Sequence, residues 1–187
     1  MLDIILASKS KVRLDILNKN NVVCSAKPSN VDEDEIKISM LKDGASPKDV
    51  SKNLAEIKAN KVSQNNLDKI VIGADSVIDL ENEIISKPKN RSEALEILRK
   101  LNGKTHFLIS SVCISKNGSM IWHYTDKAEL KMKTMTEDEL KLYLSKIEDE
   151  KLYAYNVYQI EGEGKNLFNS IKGDMNTIMG LPIKKIK

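Results

Sequence analysis

A chain of 187 residues, 41% hydrophobic and 30% charged, has the size and polarity of one soluble globular domain or of two closely joined lobes. At this length roughly 70% of the unfolded surface can be buried, so no disulfide or structural metal is needed to hold the chain together. Thirty lysines and arginines against 27 aspartates and glutamates leave a net +3, too little to imply a nucleic-acid partner, and the 4% aromatic content supplies few rings for stacking bases.

In chain order, residues 2–7 are apolar except for Asp3 and read as a buried strand. The run lacks the basic region and length of an export signal, and no apolar stretch approaches the roughly 20 residues that cross a bilayer. A cytoplasmic protein without a membrane segment is therefore expected. A polar turn, Ser8 to Ser10, leads into a helix with Val12, Leu14, Ile16 and Leu17 on its apolar side, stopped by Asn18 to Asn21. Residues 22–26 suggest a second strand. Residues 27–44 are acidic and polar, with Asp32-Glu33-Asp34-Glu35 in a row, and are expected to form a loop with a short helical portion. Ser46-Pro47 opens the next helix, with serine as cap and proline where its missing N–H costs nothing. Val50, Leu54, Ile57 and Lys61 follow at helical spacing.

Ile70-Val71-Ile72 is a compact buried strand running into Gly73-Ala74-Asp75-Ser76, and residues 76–80 and 83–85 suggest a hairpin. Asn90 and Glu93 have capping-box spacing for a helix carried by Ala94, Leu95, Leu98 and Leu101 and ended by Gly103. Two long strands, 105–115 and 120–133, are joined at Asn117-Gly118, a strong hairpin signal. Thr136 with Glu139 starts another helix through Leu140, Tyr143, Leu144 and Ile147, and the rest of the chain is expected to mix short strands with glycine turns. Cys24 and Cys113 fit no metal spacing and read as reduced thiols, Cys113 on an inward strand face. The whole reads as α/β with a mixed sheet and flanking helices, a single domain over 1–187.

Four groups of residues bear on chemistry. The turn at Ser8-Lys9-Ser10 feeding a helix offers N–H groups, hydroxyls and the Arg13 guanidinium to an anion; alternatively one serine caps the helix and Arg13 is solvated. Asp75, expected at the carboxyl end of a core strand, is placed to hold Mg²⁺ or take a proton from water, or else to close a turn on its own backbone. Lys58 stands at the apolar boundary of its helix, and Lys87 is held in a proline-stiffened loop. Glu33 offers a second carboxylate, or belongs to a solvated acidic loop. His106 and His123 have no carboxylate or cysteine at a catalytic spacing and read as structural, and no GxSxG elbow is present.

These segments together resemble the Maf (septum formation inhibitor) family of nucleotide pyrophosphatases. The resemblance rests on Leu6-Ala7-Ser8-Lys9-Ser10-Lys11-Val12-Arg13, Val31-Asp32-Glu33, Leu54-Ala55-Glu56-Ile57-Lys58-Ala59, Gly73-Ala74-Asp75-Ser76 and Ser86-Lys87-Pro88. It continues through Leu98 to His106, Tyr158-Gln159-Ile160-Glu161-Gly162, Gly173-Asp174 and Gly180-Leu181-Pro182, in order across nearly the whole chain. It implies a two-lobed, inosine-triphosphatase-like fold around a central cleft, usually a homodimer. The implied reaction is hydrolysis of a nucleoside triphosphate to a monophosphate and pyrophosphate with Mg²⁺ or Mn²⁺. Carried over by residue, Asp75 is the proton acceptor; Ser8, Arg13, Lys58 and Lys87 bind the triphosphate; Asp75 and Glu33 face the metal. Val12, Ser76 and Glu161 stand at positions that separate substrate subgroups. Lys11-Val12 replaces the family's usual Pro-Arg pair, and Glu161 replaces a glutamine, a change that favours a guanine-like edge. The alternatives are a nucleotide-binding regulator of cell division without turnover and an RNA-binding module.

Overall fold

Alternation along the inner strands decides the layering. In the computed structural model, which describes residues 3–186, the elements run β1 (Ile4–Leu6), α1 (Lys11–Lys19), β2 (Ser25–Ala26), α2 (Glu33–Lys42), α3 (Pro47–Gln64), β3 (Ile70–Leu80), β4 (Glu83–Ile85), α4 (Arg91–Leu101), β5 (Thr105–Lys116), β6 (Ser119–Met132), α5 (Glu137–Ser145), α6 (Asp149–Tyr155), β7 (Phe168–Lys172) and α7 (Met175–Ile178). Short 3-10 turns occupy Glu163–Leu167 and Ile183–Lys185. The strands form one sheet in the order β2-β1-β3-β5-β6-β7, with β4 paired to β3. β1 is parallel to both β2 and β3, whereas β4 and β7 run antiparallel to β3 and β6. A mixed sheet with flanking helices was the expectation, and it holds.

The chain divides into two compact units, one of residues 1–77, 109–127 and 174–187, the other of residues 78–108 and 128–173. In the first, even-numbered Leu6, Ile72, Ala74 and Val112 pack with Ile16 and Leu17 of α1 and with Leu181 and Ile183. The odd-numbered Ile5, Ala7, Val71 and Cys113 pack on the other face with Ala55, Ala59 and Val62 of α3. Successive strand residues point to opposite faces, so each strand serves two layers. Cys113 is buried on its inward face as expected, and burial pushes its thiol up to about 12.

Helix starts follow local chemistry. Ser46 and Asp49 form a complete capping box at α3 with Pro47 in the first turn, and Thr136 with Glu139 does the same at α5. Asn90 caps α4 by accepting from the Glu93 N–H. Asn117 and Gly118, both at positive φ (51° and 83°), make the two-residue turn between β5 and β6.

Several expectations are corrected. The first strand begins at Ile4, the predicted Leu2 lying outside the described residues, and the second is only Ser25–Ala26. The acidic stretch is the helix α2, capped by Asp32, whose side chain accepts from the Glu35 N–H. Glu33, Asp34 and Glu35 lie in its first turn, where negative charge complements the helix dipole. α2 buries no residue, so it lacks the apolar stripe by which a helix is recognised in sequence. From Tyr153 onward the expected short strands are mostly helical turns, with β7 the one strand among the described residues, and Ile147 lies past the end of α5.

In the second unit, α4 is tied to the end of α5 by Arg91, which donates to the carbonyls of Leu144 (2.8 Å) and Ile147 (2.6 Å). His106 is fully buried among Tyr158 and Phe168, with Nε2 2.8 Å from the Tyr158 hydroxyl and no hydrogen-bond partner at Nδ1 among the described residues. It serves structure, as expected. Burial lowers its pKa from 6.5 to about 4, because the imidazolium loses its hydration. The folded state therefore holds a neutral ring, and the unfolded state takes up a proton first as pH falls. Stability present above pH 6.5 should decline below it and be gone by about pH 4, a total of roughly 3 kcal/mol. Urea unfolding at pH 7.5 and pH 5 checks this: the stability difference between the two should shrink in His106→Gln, which keeps a partner for Tyr158 but does not titrate.

Candidate functional site

β1 ends at Leu6, opposite Ile72 of β3, and the chain leaves the sheet through Ala7-Ser8-Lys9-Ser10 into α1. β3 continues past that point to Leu80. Asp75 was expected at a strand tip; it lies instead within a continuous strand, beyond the last residue that β1 pairs. Its neighbour Ser76 faces the opposite way, so adjacent residues reach two different sets of side chains.

On the α3 face, Gly73 brings the helix into backbone contact with the strand. A Cβ there would lie 2.3 Å from the Ala55 carbonyl oxygen and 2.7 Å from the Ala59 nitrogen, so only glycine permits the approach. Ser51 adds a tie from α3, donating to the Asp75 carbonyl at 3.1 Å. This approach carries Lys58 over Asp75. The two are 5% and 3% exposed, and Lys58 Nζ lies 2.8 Å from Asp75 Oδ1 and 2.9 Å from Glu33 Oε1 at the start of α2. Burial works to raise the Glu33 carboxyl; the combined pull of Lys58, Lys37 and Arg13 outweighs it and holds the group below its ordinary value. Asp75 Oδ2 is shielded from solvent and takes no hydrogen bond from any described residue. A buried carboxylate oxygen without a donor is costly and calls for a functional reason.

On the other face, Arg13 projects from the first turn of α1, whose cap Ser10 accepts from the Arg13 N–H at 3.3 Å. Its Nε donates to the Gly180 carbonyl (2.8 Å), Nη1 to Ser8 Oγ (3.3 Å) and Nη2 to Ser76 Oγ (3.4 Å). A guanidinium has five N–H groups. Three are committed, which leaves one on each terminal nitrogen, the number a bidentate oxyanion contact requires. Burial lowers the Arg13 pKa and the charges of Asp75 and Glu33 oppose that, so both faces share one electrostatic field. An arginine remains cationic even so. The two cations Arg13 and Lys58 balance the two carboxylates.

Thus Glu33, Lys58 and Asp75 come together, as do Ser8, Arg13 and Ser76, all in the first unit, with Val12 half-buried beside Arg13. Lys87 and Glu161 belong to the second unit. Lys87 is an exposed residue of the loop between β4 and α4, next to buried Pro88, and Asn156 Nδ2 donates to the Ser86 carbonyl at 3.3 Å. Glu161 is exposed just before the 3-10 turn at Glu163. Sequence reasoning missed Ser110, which approaches Ser76 at 2.7 Å, and Thr177, whose carbonyl accepts from Ser110. Both are hydroxyl residues in apolar surroundings, and their burial was the only signal available.

The donor set can be tested against a divalent cation. Among the described residues no group of three acidic, cysteine or histidine side chains gathers to hold a metal. Two carboxylates meeting on one cation, one of them with an unpartnered oxygen, nonetheless fit Mg²⁺, which needs only one or two carboxylates when substrate phosphates supply other ligands. No described helix is long and apolar enough to cross a membrane.

Comparison with known proteins returns the family expected from the sequence motifs. The chain is 67% identical over 185 residues to a nucleoside triphosphate pyrophosphatase of Pelagibacter ubique (strain HTCC1062), covering 99% of this chain and 95% of that protein. It is 37% identical over 180 residues to a 7-methyl-GTP pyrophosphatase of Rhizobium etli, covering 96% and 90%. Among solved structures, a HAM1 protein from Coxiella burnetii aligns with 71% of this chain and 73% of its own at 16% identity and a TM-score of 0.47. The model of the Maf-like proteins matches residues 3–187, and with relatives this similar along almost their full length, the chain belongs to the Maf-like protein family.

Proposed function

We propose that this protein is a nucleoside triphosphate pyrophosphatase, hydrolysing the α–β phosphoanhydride to a nucleoside monophosphate and pyrophosphate. The observation that carries the chemistry is the Asp75 carboxylate, anchored through Oδ1 on Lys58 while Oδ2 has no donor among the described residues. The names borne by the relatives support the reaction class.

Lys58 holds the carboxylate in one orientation, and Oδ2 accepts a proton from water as its oxygen attacks the α-phosphorus. The bond to the bridging oxygen breaks and pyrophosphate departs. Arg13, with two uncommitted N–H groups, and Ser8 bind phosphate oxygens of the triphosphate through donors already held in place. Lys58 and Lys87 belong to the same proposal as further cations for the triphosphate, and Val12, Ser76 and Glu161 as determinants of base preference. Asp75 and Glu33 would hold Mg²⁺ or Mn²⁺, which supplies charge neutralisation and a more acidic water. A homodimer accompanies this reading on the strength of the family resemblance, and a cytoplasmic location on the reading of Cys24 and Cys113 as reduced thiols.

A pyrophosphate-release assay over a nucleotide panel that includes GTP, UTP, dTTP and 7-methyl-GTP, with Mg²⁺ or Mn²⁺, tests the function. Equal amounts of monophosphate and pyrophosphate, lost on chelation, are expected. Release of orthophosphate would overturn the bond assignment, and nucleotide binding without turnover would favour the regulator.

A further inference from the structure

Arg13, Ser76, Ser110, Thr177 and Gly180 close a ring of hydrogen bonds within the first unit. From Arg13 one arm runs Nε to the Gly180 carbonyl (2.8 Å), then Gly180 N–H to the Thr177 carbonyl (3.1 Å). The other runs Nη2 to Ser76 Oγ (3.4 Å), then Ser76 to Ser110 Oγ (2.7 Å) and Ser110 Oγ to the same Thr177 carbonyl (2.7 Å). Distance alone leaves the donor in the Ser76–Ser110 pair undecided. Proton counting decides it. A carbonyl only accepts, so Ser110 spends its single proton on Thr177. Ser76 must then donate to Ser110, and its own oxygen meets Arg13 solely as an acceptor.

We infer that Ser110 is a positioning residue for nucleotide binding: by committing its proton to Thr177 it fixes the Ser76 hydroxyl as an acceptor and so holds the Arg13 guanidinium for the triphosphate. The inference rests on the proposed function for the identity of the ligand. Every link is in place around it. Thr177 is itself anchored, donating from Oγ1 to Asp126 Oδ2 at 2.6 Å. Gly180 adopts φ +100°, a backbone conformation that favours glycine, and a Cβ there would stand a tight 3.2 Å from Ser76 Oγ. Ser8 has the opposite polarity: its oxygen accepts from the Ser10 N–H (3.1 Å) and from Arg13 Nη1 (3.3 Å), which leaves its proton to donate outward.

Without Ser110, the Ser76 proton can swing toward Arg13, where an O–H facing an N–H holds nothing. Binding of an α,β-methylene nucleoside triphosphate, measured by calorimetry, should weaken roughly five- to tenfold in Ser110→Ala. The loss should fall on KM rather than kcat, since Arg13 grips ground state and transition state alike. Ser110→Cys, nearly the same size but a weak donor, should behave the same way and replaces the alanine variant if that one does not fold. In a Ser76→Ala background the Ser110 substitution should add less than about twofold, because its route to Arg13 is already cut. Additive losses in the double variant, or unchanged affinity in both single Ser110 variants, would overturn the inference. The proposed function fails separately, by absence of pyrophosphate release from the unaltered protein, and analogue binding reads the ring whether or not turnover occurs.

Discussion

Asp75→Asn should reduce pyrophosphate release by roughly 10²–10⁴-fold, the range for loss of a general base, while leaving a folded protein that still binds nucleotide. Asparagine preserves the shape of the side chain and offers Lys58 a carbonyl oxygen in place of Oδ1. Lys58 keeps Glu33 at 2.9 Å as a charged partner, so the substitution does not strand a buried ammonium. Stranding one would cost about 3–5 kcal/mol and confuse lost chemistry with lost folding. What asparagine lacks is an anionic oxygen able to take a proton at the position of Oδ2. Steady-state kinetics beside a melting curve and analogue binding separate these effects. Turnover within a few-fold of the unaltered protein would remove Asp75 from the reaction.

Gly73→Ala should be among the most damaging single changes available to this chain. The new methyl would meet the Ala55 carbonyl oxygen at 2.3 Å and the Ala59 nitrogen at 2.7 Å, both backbone atoms of α3 that cannot rotate aside. The helix must move off the strand, which opens the packing of Ala55, Ala59 and Val62 against Val71 and Cys113. A cost of about 3 kcal/mol or more is expected, a fall in Tm on the order of 10 °C for a chain of this size. Because Lys58 rides on the same turns of α3, its 2.8 Å contact with Asp75 should be lost along with the stability. Gly44→Ala is the matched control: φ is +80° but nothing lies within 4 Å, so only the left-handed backbone penalty of about 1–2 kcal/mol applies. Equal melting temperatures for the two variants would show that the close approach of α3 does not govern stability.

Features decided within a turn or two of chain were legible in the sequence. The caps at Ser46, Asn90 and Thr136 and the Asn117-Gly118 turn needed only their own neighbours, and each stands where its residues predicted. The helix α2 escaped because its evidence was a cap and an acidic first turn with no buried stripe behind them. The candidate residues were also visible, since Asp75, Lys58, Glu33 and Arg13 stand in recognisable motifs. Their partnerships were not. Lys58 reaches an aspartate 17 positions away and Ser110 a carbonyl 67 positions away, and no periodicity encodes such separations.

By itself, then, the order of residues determined the α/β class, the family and the short list of chemically able side chains, because propensity, capping and motif spacing are local. Tertiary structure alone decided that Asp75 lies within a strand rather than at its end, that one of its oxygens has no donor among the described residues, and that Ser76 faces Arg13 as an acceptor. Each of these depends on which groups are brought within about 3 Å of each other and kept from water, since that distance sets where a proton resides and what an unpaired charge costs.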